Sequence, residues 1–221
     1  MVMMFTQQID QLKGKNIYRE FRTIESPCSN IVRYKNRDYI MLASNNYYGL
    51  NTHPKVIQAA KGALEKYGSG SAASRLIANS EVHEMLEREL AQYKKTESAL
   101  AYSSGYAANI GAISSLVGKN DLILSDELNH ASIIDGCRLS KAEVVIYKHN
   151  NIADLKHKLS KSLRKSKYEK TLIVTESIFS MDGDLAPLLG IIELKKDYDF
   201  LFMVDDAHST GIIDTNLDGV D

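Results

Sequence analysis

The stretch Phe200-Leu-Phe-Met-Val-Asp-Asp-Ala-His-Ser-Thr-Gly211 decides the fold. Its apolar run, 200–204, reads as a buried strand, and it stops at Asp205, with His208 close behind. Parallel α/β sheets collect ligands at the carboxyl ends of their strands. An acid and an imidazole delivered to that edge suit a pyridine-type cofactor, whose ring nitrogen an aspartate can keep protonated. The same residues also suit a plainer arrangement, an acid that caps the next turn beside a locally satisfied histidine.

Working back from this strand, apolar runs recur at 98–102, 121–125, 143–147 and 171–176. Segments at 81–93, 106–117, 130–139, 152–166 and 186–198 carry the helical period between them. This alternation implies an α/β fold, a mostly parallel sheet with helices on both faces. Upstream, 5–21 reads as an amphipathic helix closed by the Ser26-Pro27 break. Two short strands follow at 31–34 and 38–43, joined by Lys35-Asn36-Arg37, and a helix starts near His53-Pro54, where proline's missing N–H does no harm. Residues 1–50 are therefore expected to form an N-terminal helix and short strands, and residues 51–221 a large domain. Residues 216–221 follow the last strand with no closing helix, so that domain is expected to be truncated.

With 221 residues, 44% of them hydrophobic, the chain is long and apolar enough to bury a sizeable core. A formal net charge of -1 provides no basic footprint for nucleic acid or an anionic membrane. The lysine-rich stretch 156–170 reads as the wet face of a helix. Cys28 and Cys137 stand far apart, without the spacing of a disulfide framework or zinc site. No signal peptide or apolar run of membrane-spanning length is evident, and a cytoplasmic location is expected.

Several segments place chemistry at strand ends. Ser103-Ser104-Gly105-Tyr106-Ala107-Ala108-Asn109 opens a helix, where backbone N–H groups and the positive helix end can hold a phosphate. It has neither the GK[ST] of a P-loop nor the GxGxxG of a dinucleotide fold, and a tight strand-to-helix turn explains its glycine equally well. His130 can stack on a flat ring or simply cap its helix. Ser180 lies beyond another strand. Asp182-Gly183-Asp184 lacks the remaining positions of a calcium loop and reads as a turn, and His83-Glu84 lacks the second histidine of a zinc motif, so no metal site is expected. Gly105, His130, Ser180, Asp205 and His208 all follow successive strands, and such convergence favours one shared pocket.

Six ordered blocks carry a family resemblance. They are Ser44-Asn-Asn-Tyr-Tyr-Gly-Leu50, Gly68-Ser-Gly70, Ser104-Gly-Tyr106, Ser125-Asp-Glu-Leu-Asn-His-Ala-Ser-Ile133, Phe179-Ser-Met-Asp-Gly-Asp184 and Val204-Asp-Asp-Ala-His208. Together they resemble the α-oxoamine synthases, pyridoxal-phosphate enzymes of the fold-type I aminotransferase architecture. The resemblance implies decarboxylating condensation of an amino acid with an acyl-CoA by a homodimer. It also implies backbone contacts from Gly105 and Tyr106 to the cofactor phosphate and His130 stacked on the ring. Asp205 would pair with the ring nitrogen, His208 would bond the phenolic oxygen with Ser180 beside it, and Arg19 and Asn45 would reach toward substrate, as would His130. Ser74-Arg75-Leu76 is more like members that join alanine to pimeloyl-CoA. Residues 18–24 and 125–137 are equally like members that join glycine to acetyl-CoA.

Small departures from the family pattern are Ser209 after His208, where glycine is common, and Ala72-Ala73 in a loop often richer in glycine. The larger one is that no lysine of this chain stands in the family's Schiff-base context, a serine/threonine-lysine-glycine turn beyond the Asp-x-Ala-His segment. The family's C-terminal small domain is likewise not expected within these residues. Two possibilities follow: an N-terminal part of an enzyme whose activity belongs to the full-length protein, or a non-catalytic remnant that acts by binding or dimerisation.

Overall fold

The computed structural model describes residues 2–165 and 167–213. Residue 166, the expected last residue of one helix, and residues 216–221 lie outside the described residues. The chain divides into two compact units, Met1–Ala72 and Ala73–Asp221.

The first unit contains helix α1 (Val2–Gly14), strands β1 (Ile31–Tyr34) and β2 (Arg37–Ile40), a 3-10 turn Leu50–Thr52 and helix α2 (Pro54–Tyr67). Helix α1 stops well short of residue 21. Asn16 takes a left-handed φ of 55°, and the N–H groups of Ile17 and Asn16 return to the carbonyls of Leu12 and Lys13, a Schellman closure that ends the helix at Gly14. Strands β1 and β2 pair antiparallel from Ile31↔Ile40 to Tyr34↔Arg37. Their two-residue turn, Lys35-Asn36, has positive φ at both positions, the backbone that matches the strands' twist, and the Glu25 carboxylate accepts both of its N–H groups. Strand β2 ends at Ile40, before residue 43. The register would set residues 28–30 opposite 41–43, but the Ser29 N–H turns to the Pro27 carbonyl and the Cys28 carbonyl is occupied by the side chains of Asn46 and Asn51.

In the second unit, helix α3 (Glu81–Lys94) precedes helix α4 (Gly105–Leu116), and strand β3 (Leu122–Asp126) follows. Then come α5 (Ala131–Ser140), β4 (Glu143–Tyr147), α6 (Ile152–Lys165), β5 (Thr171–Glu176), α7 (Leu188–Glu193) with a 3-10 turn at Leu194–Lys196, and β6 (Leu201–Asp205). The described strands form a parallel sheet in the order β4-β3-β5-β6. Alternate residues divide between its two faces. Leu122, Leu124 and Ile173 pack with Leu155, Leu159 and Ile191 of α6 and α7, while Ile123, Leu172 and Val174 pack with Ile113, Ile133 and Cys137 of α4 and α5. Burial on both faces explains why β3 and β5 read as unbroken apolar runs.

Residues 98–102 do not form the expected strand. The Ala101 N–H donates to Glu87 Oε1 (2.7 Å) and its carbonyl accepts from Arg75 Nη1 (3.0 Å), so side chains replace ladder partners. The last helix is also shorter than 186–198. Pro187 excludes Ala186 from it, and the Ala186 N–H bonds the Ser177 carbonyl instead.

Candidate functional site

Strands β5 and β6 run in register, so Glu176 stands opposite Asp205 where both strands end. A chain of polar contacts ties this pair to two helix starts. Asn109, on the second turn of α4, donates through Nδ2 to Asp205 Oδ2 at 2.6 Å and to Ser132 Oγ at 2.9 Å. The Ser132 hydroxyl meets His130 Nδ1 at 2.7 Å, and the His130 N–H donates to Glu176 Oε1 at 2.6 Å. The other Asp205 oxygen accepts the Ala207 N–H at 3.1 Å. Four elements therefore meet at one edge, and their junction orients a carboxylate whose oxygens both keep further acceptor capacity.

Each contact has a local cause. Ser104 caps α4 by accepting the Ala107 N–H, leaving the preceding N–H groups at the helix start without an intrahelical acceptor. A Cβ built on Gly105 would meet nothing within 4 Å, so the approach to those groups is open. His130 caps α5 through Nδ1, which accepts the Ser132 N–H, and this fixes its ring edge-on to Tyr106 with centroids 6.1 Å apart. Tyr106 in turn donates its hydroxyl to Asp135. Burial pushes the Glu176 carboxyl above the ordinary carboxylate range and the charge of Asp205 adds to this, against the His130 and Ser180 N–H groups that favour the ionised form.

The structure thus brings Gly105, Tyr106, His130 and Asp205 to one edge. Ser180 is exposed in the loop after β5, its N–H turned to Glu176, and His208 is partly buried in the turn after β6. Arg19 and Asn45 belong to the first unit and are exposed there. Sequence reasoning left Asn109, Ser132 and Glu176 without roles. A buried asparagine one turn into a helix and a glutamate closing an apolar strand were the available signals. Next to this edge, Ser177, Pro187, Leu188, Leu189, Ser209 and Ile213 line a mainly apolar cleft of about 480 Å³, to which Asp205 and His130 do not contribute. Among the described residues, no group of histidine, cysteine and acidic side chains could hold a metal, and no helix is long and apolar enough to cross a membrane.

The sequence and the fold have counterparts among known proteins. The family described as aminotransferase class I and II matches residues 37–220. The chain belongs to this family. Within the aminotransferase family it is 46% identical to 8-amino-7-oxononanoate synthase of Thermoanaerobacter pseudethanolicus over 94% of its length and 52% of the relative's. The same-named protein of Geobacter sulfurreducens is 47% identical over 93% and 52%. Both bear out the resemblance to the α-oxoamine synthases. The chain spans about half the length of the curated relatives it matches. Among solved structures, Sphingomonas wittichii serine palmitoyltransferase superposes with a TM-score of 0.82 at 34% identity, covering 92% of this chain and 51% of that one. The 8-amino-7-oxononanoate synthase of Francisella tularensis gives 0.57 at 30% identity, covering 74% and 44%. The parallel sheet with helices is the expected fold-type I architecture of this aminotransferase family.

Proposed function

We propose that the protein to which these residues belong is a pyridoxal-phosphate-dependent acyltransferase. It condenses L-alanine with pimeloyl-CoA to give 8-amino-7-oxononanoate, carbon dioxide and free CoA, a step of biotin synthesis. The contact that carries this reading is Asn109 to Asp205, because it sets a strand-end carboxylate beside the open start of α4. Relatives at 46% and 47% identity with that name support the substrate pair. In this reading residues 51–221 are the incomplete cofactor-binding large domain and residues 1–50 an N-terminal extension. The full-length protein works as a cytoplasmic homodimer, with the lysine that holds the cofactor and the small domain supplied from outside these residues.

Bound pyridoxal phosphate supplies an electron sink for negative charge developing at the amino-acid α-carbon. The N–H groups of Gly105 and Tyr106, at the positive end of α4, take the phosphate. Asp205 holds a proton at the pyridine nitrogen, and the Asn109 amide fixes the carboxylate that does so. His130 would lie against the ring, its own plane set by the Ser132 contacts. His208 would bond the phenolic oxygen with Ser180 beside it, and the family resemblance gives Arg19 and Asn45 a part in orienting the substrates.

The test is CoA release by the full-length protein, given alanine with pimeloyl-CoA or glycine with acetyl-CoA. Turnover confined to the first pair is the expected result. Turnover confined to the second would make the protein a 2-amino-3-ketobutyrate CoA ligase. No turnover with either, in a folded protein, would favour a non-catalytic binding role.

A further inference from the structure

The second unit holds another buried polar cluster, which the proposed function leaves unused. Asp126 closes β3 with its side chain only 1% exposed. Its Oδ1 accepts from the Leu128 N–H (3.0 Å) and faces His149 Nδ1 at 2.9 Å, while its Oδ2 accepts the Asn150 N–H (3.0 Å). On the other side of the ring, His149 Nε2 lies 2.8 Å from Asp184 Oδ2, to which Asn150 Nδ2 also donates at 2.7 Å. The Phe179 ring meets the imidazole edge-on, 4.4 Å between centroids. One imidazole therefore touches both ends of the loop from Phe179 to Asp184. The loop is itself closed by the Phe179 N–H on the Asp184 carbonyl (3.1 Å) and the Gly183 N–H on the Phe179 carbonyl (2.8 Å). Ser180 lies inside it.

Each ring nitrogen faces a carboxylate oxygen, which only accepts when ionised, and the Asn150 Nδ2 lies farther off, 3.2 Å from Nε2. A neutral imidazole has a single N–H and can satisfy one of them, whereas an imidazolium satisfies both. The surroundings favour the cation. Glu127 adds a third carboxylate by accepting the His149 backbone N–H at 2.9 Å. Nearby Lys158 is paired with Asp154, which also accepts the Lys148 N–H. Burial lowers the basicity of His149, but the hydrogen bonds to Asp126 and Asp184 outweigh it, and the net direction is upward.

We infer that His149 is a positioning residue: as an imidazolium bridging Asp126 and Asp184 it clamps the 179–184 loop and fixes Ser180 at the cofactor edge. The clamp stands on the contacts above, and its link to the cofactor rests on the role proposed for Ser180. Because the folded form binds the proton more tightly, the clamp is complete below the ordinary histidine value of about 6.5 and is lost as pH rises through the folded value. Neutral His149 keeps the deeply buried Asp126 and loses its own hold on Asp184, which is 43% exposed and retains the Asn150 side-chain contact.

The experiment is NMR of the His149 ring nitrogens and the loop amides in the 221-residue chain, from about pH 5.5 to 9 across the histidine range. It is run with and without pyridoxal phosphate, on the parent and on Asp184→Asn, a half-exposed site at which the fold is expected to persist. Both ring nitrogens should be protonated at pH 6.5 in the parent. Ser180 and Met181 amide exchange should rise at least tenfold beyond the intrinsic pH trend above the His149 midpoint, and pyridoxal-phosphate affinity should fall over the same interval. In Asp184→Asn, whose amide can donate to a neutral ring, the midpoint should drop toward the ordinary value and the step in exchange should vanish. A singly protonated His149 at pH 6.5, or loop exchange unchanged by Asp184→Asn, overturns the clamp. A parent that binds no pyridoxal phosphate at any pH overturns the cofactor link, while ring nitrogens and amides still decide the clamp itself.

Discussion

Asn109 is the residue on which the edge depends, because one amide group restrains Asp205 and, through Ser132, the histidine that caps α5. Glu176 is its counterweight. Its carboxyl is buried next to a second acid, and the N–H groups of His130 and Ser180 offset that only in part. A group whose proton is held more tightly in the folded state costs stability once pH rises above its unfolded value near 4.5. Glu176→Gln should therefore gain stability relative to the parent between pH 5 and 7, and the difference should shrink toward zero as pH falls below about 4.5. Chemical denaturation of both proteins across this range measures it, and a difference independent of pH would mean that folding leaves the proton affinity of Glu176 unchanged.

At the scale of elements, the close approach of α4 to α5 transmits this geometry. A Cβ placed on Gly136 would lie 3.0 Å from Ile113 Cδ1 and 3.1 Å from the Asn109 carbonyl oxygen, so the helices must separate slightly to admit one. Gly136→Ala should cost about 1–3 kcal/mol by overpacking and weaken pyridoxal-phosphate binding in parallel, because the shifted backbone is that of Asn109. Thermal melts and a cofactor titration check this together. The segment leading into α4 depends on Arg75 and Glu87. The Arg75 hydrogen bonds, joined by the Ala101 N–H, hold the Glu87 carboxyl down at about 2. A lowered folded value gives stability that is present above the ordinary value of 4.5 and lost as pH falls toward 2. Glu87→Gln should thus lower the melting temperature at neutral pH by an amount that disappears in acid. The elements around these contacts were legible because residues 122–124 of β3 and 172–174 of β5 are apolar and His130 stands at the start of its helix. Residues 98–102 were misread because nothing local reveals that Glu87 and Arg75, distant in sequence, occupy the Ala101 backbone. Helix α1 was drawn too long because apolar spacing continues beyond Gly14 while Asn16 turns the chain.

For the whole molecule, the family and fold are fixed by ordered motifs across nearly the full chain, whereas the relatives whose names specify a product are about twice as long as this chain. The residues at strand ends were recognisable from sequence as candidates, since a strand that ends in an acid or a helix that opens with glycine has a defined place in a parallel sheet. The contacts that hold them were not, because Asn109 and Asp205 are 96 positions apart and meet only through the fold. In the proposed function the cofactor-binding edge lies within this chain. The most direct measurement is equilibrium dialysis of pyridoxal phosphate against the chain and against Asp205→Ala, with inorganic phosphate as competitor. Saturable binding at one site is expected, displaced by phosphate and weakened about tenfold to a hundredfold by the substitution, the effect of losing a charged hydrogen bond. Equal binding by both proteins, or uptake that phosphate does not displace, would contradict it.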